Sequence, residues 1–271
     1  MAVDRRGTVV VTGAAGGIGR ATAAALLGLG HRIVGVDIDP SVLDPPVEAG
    51  DTYEGVVADI TDEDDLAALR ARLADDAAVA HLVLAAGGAL ADEISPHNPL
   101  ELSADVFSRS VHLNLTAQYL TVRHLSPALG SGDDRDRSIT FVSSINAVGN
   151  FGAPAYSAAR AGLAGLVTSL AFPLGRRRVR VNAVAFGTVR TPASEELHAH
   201  QPERAETMAA LSALDRTMMA DAAASAFVAV ITHLQAVTGT VLTVDGGQSV
   251  PGRRDGSSDR ASASPDDGPA W

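Results

Sequence analysis

The sequence predicts a doubly wound α/β fold: one parallel sheet of about seven strands with helices on both faces. Three observations carry the prediction. Short β-branched runs alternate with alanine- and leucine-rich helical stretches along the chain. The first run, Val9-Val10-Val11-Thr12, stops at Gly13, and three more glycines lead straight into a helix. Later runs end in acidic, small or hydroxylic residues, which a parallel sheet gathers at one edge, the carboxyl ends of its strands. The 271 residues suit a single domain over residues 1–250 with a tail at 251–271.

Composition narrows the function. The apolar fraction is 46 % but aromatics are only 4 %, so the core is built from Val, Leu, Ile and Ala. A net charge of −11 argues against a nucleic-acid surface and an anionic membrane. The chain has no cysteine, which excludes disulfides, thiolate metal sites and cysteine nucleophiles. No apolar stretch reads as a membrane span. The expectation is a cytoplasmic protein with neither a nucleic-acid nor a membrane partner. All 21 basic residues are arginine, so no lysine is on hand as a base or charged partner.

In chain order, residues 8–11 are the first strand, Gly13 to Gly19 a tight turn, and residues 20–29 a helix closed by Gly30. Helix-start N–H groups and the helix dipole favour a phosphate there. The glycines let a pyrophosphate lie against the backbone. The second strand, 32–36, stops at Asp37, an acid about 20 residues past the glycines, where such units hold ribose hydroxyls. A carboxylate there repels a 2′-phosphate, and no base lies in the loop before Gly17 or just after Asp37, which favours NAD over NADP. Residues 56–58 lead to Asp59 and Ile60, then to a helix running to about Ala74, capped by Thr61 or Asp62. Asp59 is read as an adenine-side acid or as a plain turn residue. Residues 81–84 are a fourth strand ending in Ala85-Ala86-Gly87-Gly88, small enough for a ribose to approach.

Residues 102–129 read as one helix containing Asn114, which is either structural, bonded to bent backbone, or the holder of a relay water. The fifth strand, 138–142, delivers Ser143 and Ser144 to its end. A following helix carries Tyr156 and Arg160, four apart and so on one face. A cation beside a tyrosine favours the phenolate, and with a nearby serine this makes an acid/base pair for a carbonyl–alcohol interconversion. The sixth strand, 179–185, is followed by Phe186-Gly187 and by Thr188 to Pro192 facing the same crevice. Residues 193–219 read as irregular, with about 191–220 a substrate lid. His198 and His200 there lack a third ligand, so no metal site is assigned. A helix over 221–234 and a last strand over 240–244, ending Asp245-Gly246-Gly247, complete the domain. The tail is polar and reads as disordered.

Taken together, residues 7–250 resemble the classical short-chain dehydrogenase/reductase family, whose fold is a Rossmann-type sheet. The turn Thr12-Gly13-x-x-x-Gly17-Ile18-Gly19 is similar to the family's cofactor turn, and Asn114, Ser144, Tyr156 and position 160 stand where the family has its Asn, Ser, Tyr and Lys. Leu84-Ala85-Ala86-Gly87 replaces Asn-Asn-Ala-Gly, and Phe186 replaces a proline. The resemblance implies an NAD-dependent alcohol–ketone oxidoreductase with catalytic Ser144, Tyr156, Arg160 and Asn114. It implies cofactor contacts from Gly13, Ala15, Gly16, Gly17 and Ile18, from Asp37, Asp59 and Ile60, from Ala85, Ala86 and Gly87, and from Tyr156, Arg160, Val189 and Thr191. It also implies a small-molecule substrate and a homotetramer or homodimer. Counting along the strand selects Ser144; counting back from Tyr156 selects Ser143. Arg160 keeps the lysine's charge but does not readily release a proton. A redox-neutral enzyme or an NAD-binding protein is the alternative that this replacement leaves open.

Overall fold

Every residue of the first apolar run is buried, because it occupies the centre of a sheet covered on both faces. The computed structural model describes residues 7–74, 76, 79–94, 98–130, 135–149, 152–198, 211–214 and 216–250. The elements in order are β1 (Thr8–Thr12), α1 (Gly17–Gly28), β2 (Arg32–Asp37), β3 (Tyr53–Val57), α2 (Glu63–Arg72) and β4 (Val79–Leu84). Next come α3 (Ala91–Ile94), α4 (Ala104–Val111), α5 (Ala117–Leu125), β5 (Arg137–Ser144), α6 (Pro154–Gly175) and β6 (Val179–Phe186). The chain then forms β7 (Val189–Arg190), α7 (Pro192–His198), β8 (Met218–Met219), α8 (Ala220–Thr232) and β9 (Thr240–Val244).

Seven parallel strands form one sheet in the order β3-β2-β1-β4-β5-β6-β9. The order reverses between β1 and β4, so the chain leaves their carboxyl ends in opposite directions and opens a crevice there. Strand alternation splits the core. Val10, Leu82 and Phe141 pack with Leu163 and Val167 of α6 on one face. Val9, Val11 and Val83 pack with Leu26 of α1 and Phe227 of α8 on the other. By length and composition α6 qualifies as a membrane span; in the fold it lies against β6 and β5.

Two expectations needed correction. The segment 102–129 is not one α-helix: a π-helical turn, His112–Thr116, separates α4 from α5, and residues Ser126–Leu129 are 3₁₀. Asn114 sits in this turn, its side-chain amide bonded both to Ser110 O four residues back and to the Gly88 backbone. Residues 193–219 are also not wholly irregular. Pro192 opens α7, the Thr191 hydroxyl accepts the Ser194 N–H at 3.1 Å, and β8 pairs with β7. Asp62, rather than Thr61, caps α2, accepting the Asp64 N–H at 2.8 Å. His200 and the tail at 251–271 lie outside the described residues.

Candidate active site

The glycine turn between β1 and α1 is shaped by close approach. A Cβ on Gly19 would lie 2.0 Å from the Gly13 carbonyl oxygen, so only glycine lets the helix start so near the strand. Among the described residues no side chain caps α1, which leaves its first-turn N–H groups as donors for an anion. Asp37 is fastened to this turn: its carboxylate accepts the Ala15 N–H at 3.0 Å and the Asp39 N–H at 3.0 Å. Thr12, buried, accepts the Ala86 N–H at 3.3 Å and so ties the ends of β1 and β4 together.

Two of the cavities along the strand ends adjoin. The larger, about 990 Å³, is lined by Gly13, Gly16 and Asp37, by Asp59 and Ile60, and by Ala85, Ala86 and Gly87. The smaller, about 360 Å³, is lined by Ile18, Ser143, Ser144, Tyr156, Arg160, Val189 and Thr191. Ala85, Gly87, Gly88 and Ala89 border both, so the two form a continuous trough. Gly17 lies beneath Thr191, whose Cβ would be 2.7 Å from a Cβ at that position. Asp59 is ordered by its own turn, accepting the Thr61 N–H at 2.8 Å and the Thr61 hydroxyl at 2.7 Å. The glycine cradle, uncapped helix start and carboxylate-lined trough fit an elongated phosphate-bearing dinucleotide.

At the inner end of the trough, α6 brings Arg160 back over Tyr156. The guanidinium carbon lies 4.9 Å from the Tyr156 ring centroid, a cation–π placement. Arg160 is 1 % exposed; Nη1 donates to the Val142 carbonyl at 2.7 Å, and buried Nε has no hydrogen-bond partner among the described residues. Gly87, at φ 118°, makes room: a Cβ there would be 3.1 Å from Arg160 Nη2 and 2.7 Å from Asn114 Oδ1. Asn114 lines neither cavity. Its Nδ2 donates to Gly88 O and Ser110 O, each at 3.0 Å, and Oδ1 accepts the Gly88 N–H at 3.0 Å. It clips the loop after β4 to the π turn.

The two serines differ in place. Ser143 is 2 % exposed and donates to the Arg160 carbonyl at 3.3 Å. Ser144 is half-buried at the strand end, donates to Asn146 Oδ1 at 3.1 Å and accepts the Asn146 N–H at 3.2 Å. Sequence reasoning missed Asn146, which also donates to Gly152 O and so ties Ser144 to the approach of α6. It missed Gln248 as well, whose amide accepts the Thr188 N–H at 2.7 Å and donates to the Thr188 hydroxyl at 3.2 Å. An Asn two residues past a strand-end serine is a local turn signal that points to the first; nothing local points to the second.

Comparison with known proteins agrees with this architecture. The family model described as enoyl-(acyl carrier protein) reductase matches residues 13–249. Cis-4-hydroxycyclohexanecarboxylate dehydrogenase of Sinomonas cyclohexanicum is 37 % identical over 247 residues, 88 % of this chain and 94 % of that protein. A crystal structure of a short-chain dehydrogenase/reductase family oxidoreductase from Burkholderia thailandensis has a TM-score of 0.79 at 35 % identity, covering 90 % of this chain and 92 % of that one. A structure titled ribose-5-phosphate isomerase, from Brucella melitensis, has a TM-score of 0.82 at 28 % identity, covering 92 % and 94 %. With the cradle, the trough and the ordered landmarks, these matches establish that the chain belongs to the short-chain dehydrogenase/reductase family of oxidoreductases.

Proposed function

We propose that the protein interconverts an alcohol and a ketone on a small, non-polymeric substrate, using NAD(H). The observation that carries this reading is the meeting of Tyr156, Ser144 and Arg160 in one cavity that is continuous with the Asp37-lined trough. A nicotinamide cofactor, when bound, supplies or accepts the hydride. Tyr156 gives or takes the hydroxyl proton, and Ser144 holds the substrate oxygen by hydrogen bond. Arg160 supplies a fixed positive charge against the Tyr156 ring. Asn114, its amide donors held by Gly88 and Ser110 and its Oδ1 already accepting the Gly88 N–H, has one Oδ1 lone pair left to order a relay water.

NAD is favoured over NADP because the Asp37 carboxylate lines the trough. Arg20, the nearest base past the turn, is turned to the Asp44 and Pro45 carbonyls at 3.1 and 3.2 Å. Gly13, Gly16, Gly17, Ile18 and Ala15 form the phosphate end. Asp59, Ile60 and Ala85 to Gly87 line the adenosine end, and Val189 and Thr191 close the nicotinamide end. Assembly as a homotetramer or homodimer through α4, α5 and α6 is part of this reading; Phe107, Tyr119 and Phe172 stand exposed on those helices. So is a cytoplasmic location.

Cis-4-hydroxycyclohexanecarboxylate, the alcohol in the name of the Sinomonas relative, is the first substrate to try with NAD. Turnover in the wild type and its loss in Tyr156→Phe is the expected result; undiminished turnover in the variant overturns the role of Tyr156. One observation favours a second reading, a redox-neutral step. Arg160 is locked to Val142 and is a poor proton carrier. Tight NAD binding without hydride transfer to or from any of a panel of alcohols and ketones would select it.

A further inference from the structure

Helix α6 begins without help from its own sequence. The residue before it, Ala153, has no polar side chain and sits at φ 53°, in the left-handed region; Pro154 has no N–H. The Tyr156 N–H is therefore an orphan donor in the first turn. It is not left bare. Glu93, 63 residues away on α3 and 4 % exposed, accepts it on Oε1 at 2.6 Å. Its other oxygen, Oε2, accepts the hydroxyl of Ser110 on α4 at 2.7 Å. A buried carboxylate is tolerated when both oxygens are hydrogen-bonded and a helix start faces it.

We propose that Glu93 is a positioning residue for Tyr156. The proposal rests on the reading of Tyr156 as the acid/base. Glu93 clamps the backbone of the residue whose phenol must meet the substrate oxygen, and it joins that turn to the Asn114 clip. Ser110 completes the link: its hydroxyl binds Glu93 and its carbonyl accepts Asn114 Nδ2. Asn114 in turn holds Gly88, beside Gly87 and Arg160. Two charged groups bear on the Tyr156 turn, Arg160 from its own helix and Glu93 from α3. Without the clamp, the first turn of α6 lacks a partner for a half-buried N–H, and the phenol loses its register against Ser144 and Arg160.

The test compares Glu93→Gln and Glu93→Met, both unbranched, with wild type and Tyr156→Phe. The glutamine carbonyl still accepts the Tyr156 N–H and its amide donates to Ser110 Oγ; methionine does neither. With cis-4-hydroxycyclohexanecarboxylate and NAD, Glu93→Met should lower kcat about tenfold or more with KM changed less than about threefold, and Glu93→Gln should keep kcat within about threefold. A folded Glu93→Met enzyme with kcat within about twofold of wild type overturns the proposal, as does a glutamine variant that falls as far. Glu93→Leu replaces the methionine variant if the latter does not fold. Should Tyr156→Phe stay active, or wild type not turn the alcohol over, the functional reading fails for that reaction. Hydrogen exchange at the Tyr156 amide then decides the positioning role. Exchange about tenfold faster or more in Glu93→Met than in wild type supports it, and equal exchange overturns it.

Discussion

The guanidinium of Arg160 is held between two partners: its carbon lies 4.9 Å from the Tyr156 ring centroid, and Nη1 donates to Val142 O at 2.7 Å. This is a cation fixed in place, not a mobile one. Lysine at this position would be a compact charge on a flexible stem, able to swing and to exchange a proton.

Charge, rather than the planar fork, is what the proposed chemistry requires. Arg160→Lys should retain kcat within about tenfold, whereas Arg160→Met, which removes the charge, should lower it about a hundredfold or more. Steady-state kinetics on the same alcohol reads both. If lysine fails as badly as methionine, the site depends on the Val142 bond and the ring stacking rather than on the charge.

The neighbouring serines should separate cleanly. Ser144→Ala removes the hydroxyl proposed to hold the substrate oxygen and should lower kcat about a hundredfold. Ser143→Ala removes a bond to the Arg160 carbonyl and should show mainly as a stability loss of about 1 kcal/mol. Urea denaturation and kinetics on both variants measure the two effects. The reverse pattern would move the catalytic role to Ser143.

Cofactor choice is tested at Asp37. Replacing it with serine takes a negative charge from the end of the trough proposed for the adenosine and removes the acceptor for Ala15 and Asp39. Asp37→Ser should weaken NADH binding about tenfold and bring NADPH affinity closer to it. Fluorescence titration with each reduced cofactor gives the ratio. A ratio unchanged from wild type would mean that Asp37 supports the turn without selecting the cofactor.

The sheet was legible because its strands announce themselves locally. β-Branched runs end at Gly13, Asp37 and Asp59, and a parallel sheet brings those ends together whatever the loops do. Arg160 over Tyr156 was legible for the same reason, since helix spacing alone puts them on one face. Glu93 was not, because its partner is a backbone N–H 63 residues away, and a backbone group leaves no mark in a sequence. The π turn at Asn114 was equally hidden, since the Gly88 backbone that its side chain binds lies 26 residues away in the chain. Helix α7 was missed although Thr191-Pro192 is a recognisable helix start; the histidines and methionines after it drew the reading toward a loop. Ser143 and Ser144 stayed ambiguous because strand and loop counting disagreed, and the bonds each hydroxyl makes are what distinguish their settings.

Stability should depend on pH through a group remote from the active site. His81 on β4 is buried, bonded through Nδ1 to Ser138 Oγ at 2.9 Å, and edge-on to His31 with centroids 6.1 Å apart. Burial first, then electrostatic repulsion from His31, Arg180 and Arg137, lowers its pKa from 6.5 to about 3. Native His81 therefore stays neutral where the unfolded chain's His81 is protonated. Between pH 6.5 and about 3 the unfolded state binds the extra proton, so stability is complete above this window and falls as pH falls through it. The slope approaches about 1.4 kcal/mol per pH unit, a loss of roughly 2 kcal/mol by about pH 5. Urea denaturation at about pH 7.5 and about pH 5 measures the loss, and His81→Gln, which keeps a partner for Ser138, should remove this part of it. An identical pH dependence in the variant would place the acid sensitivity elsewhere in the molecule.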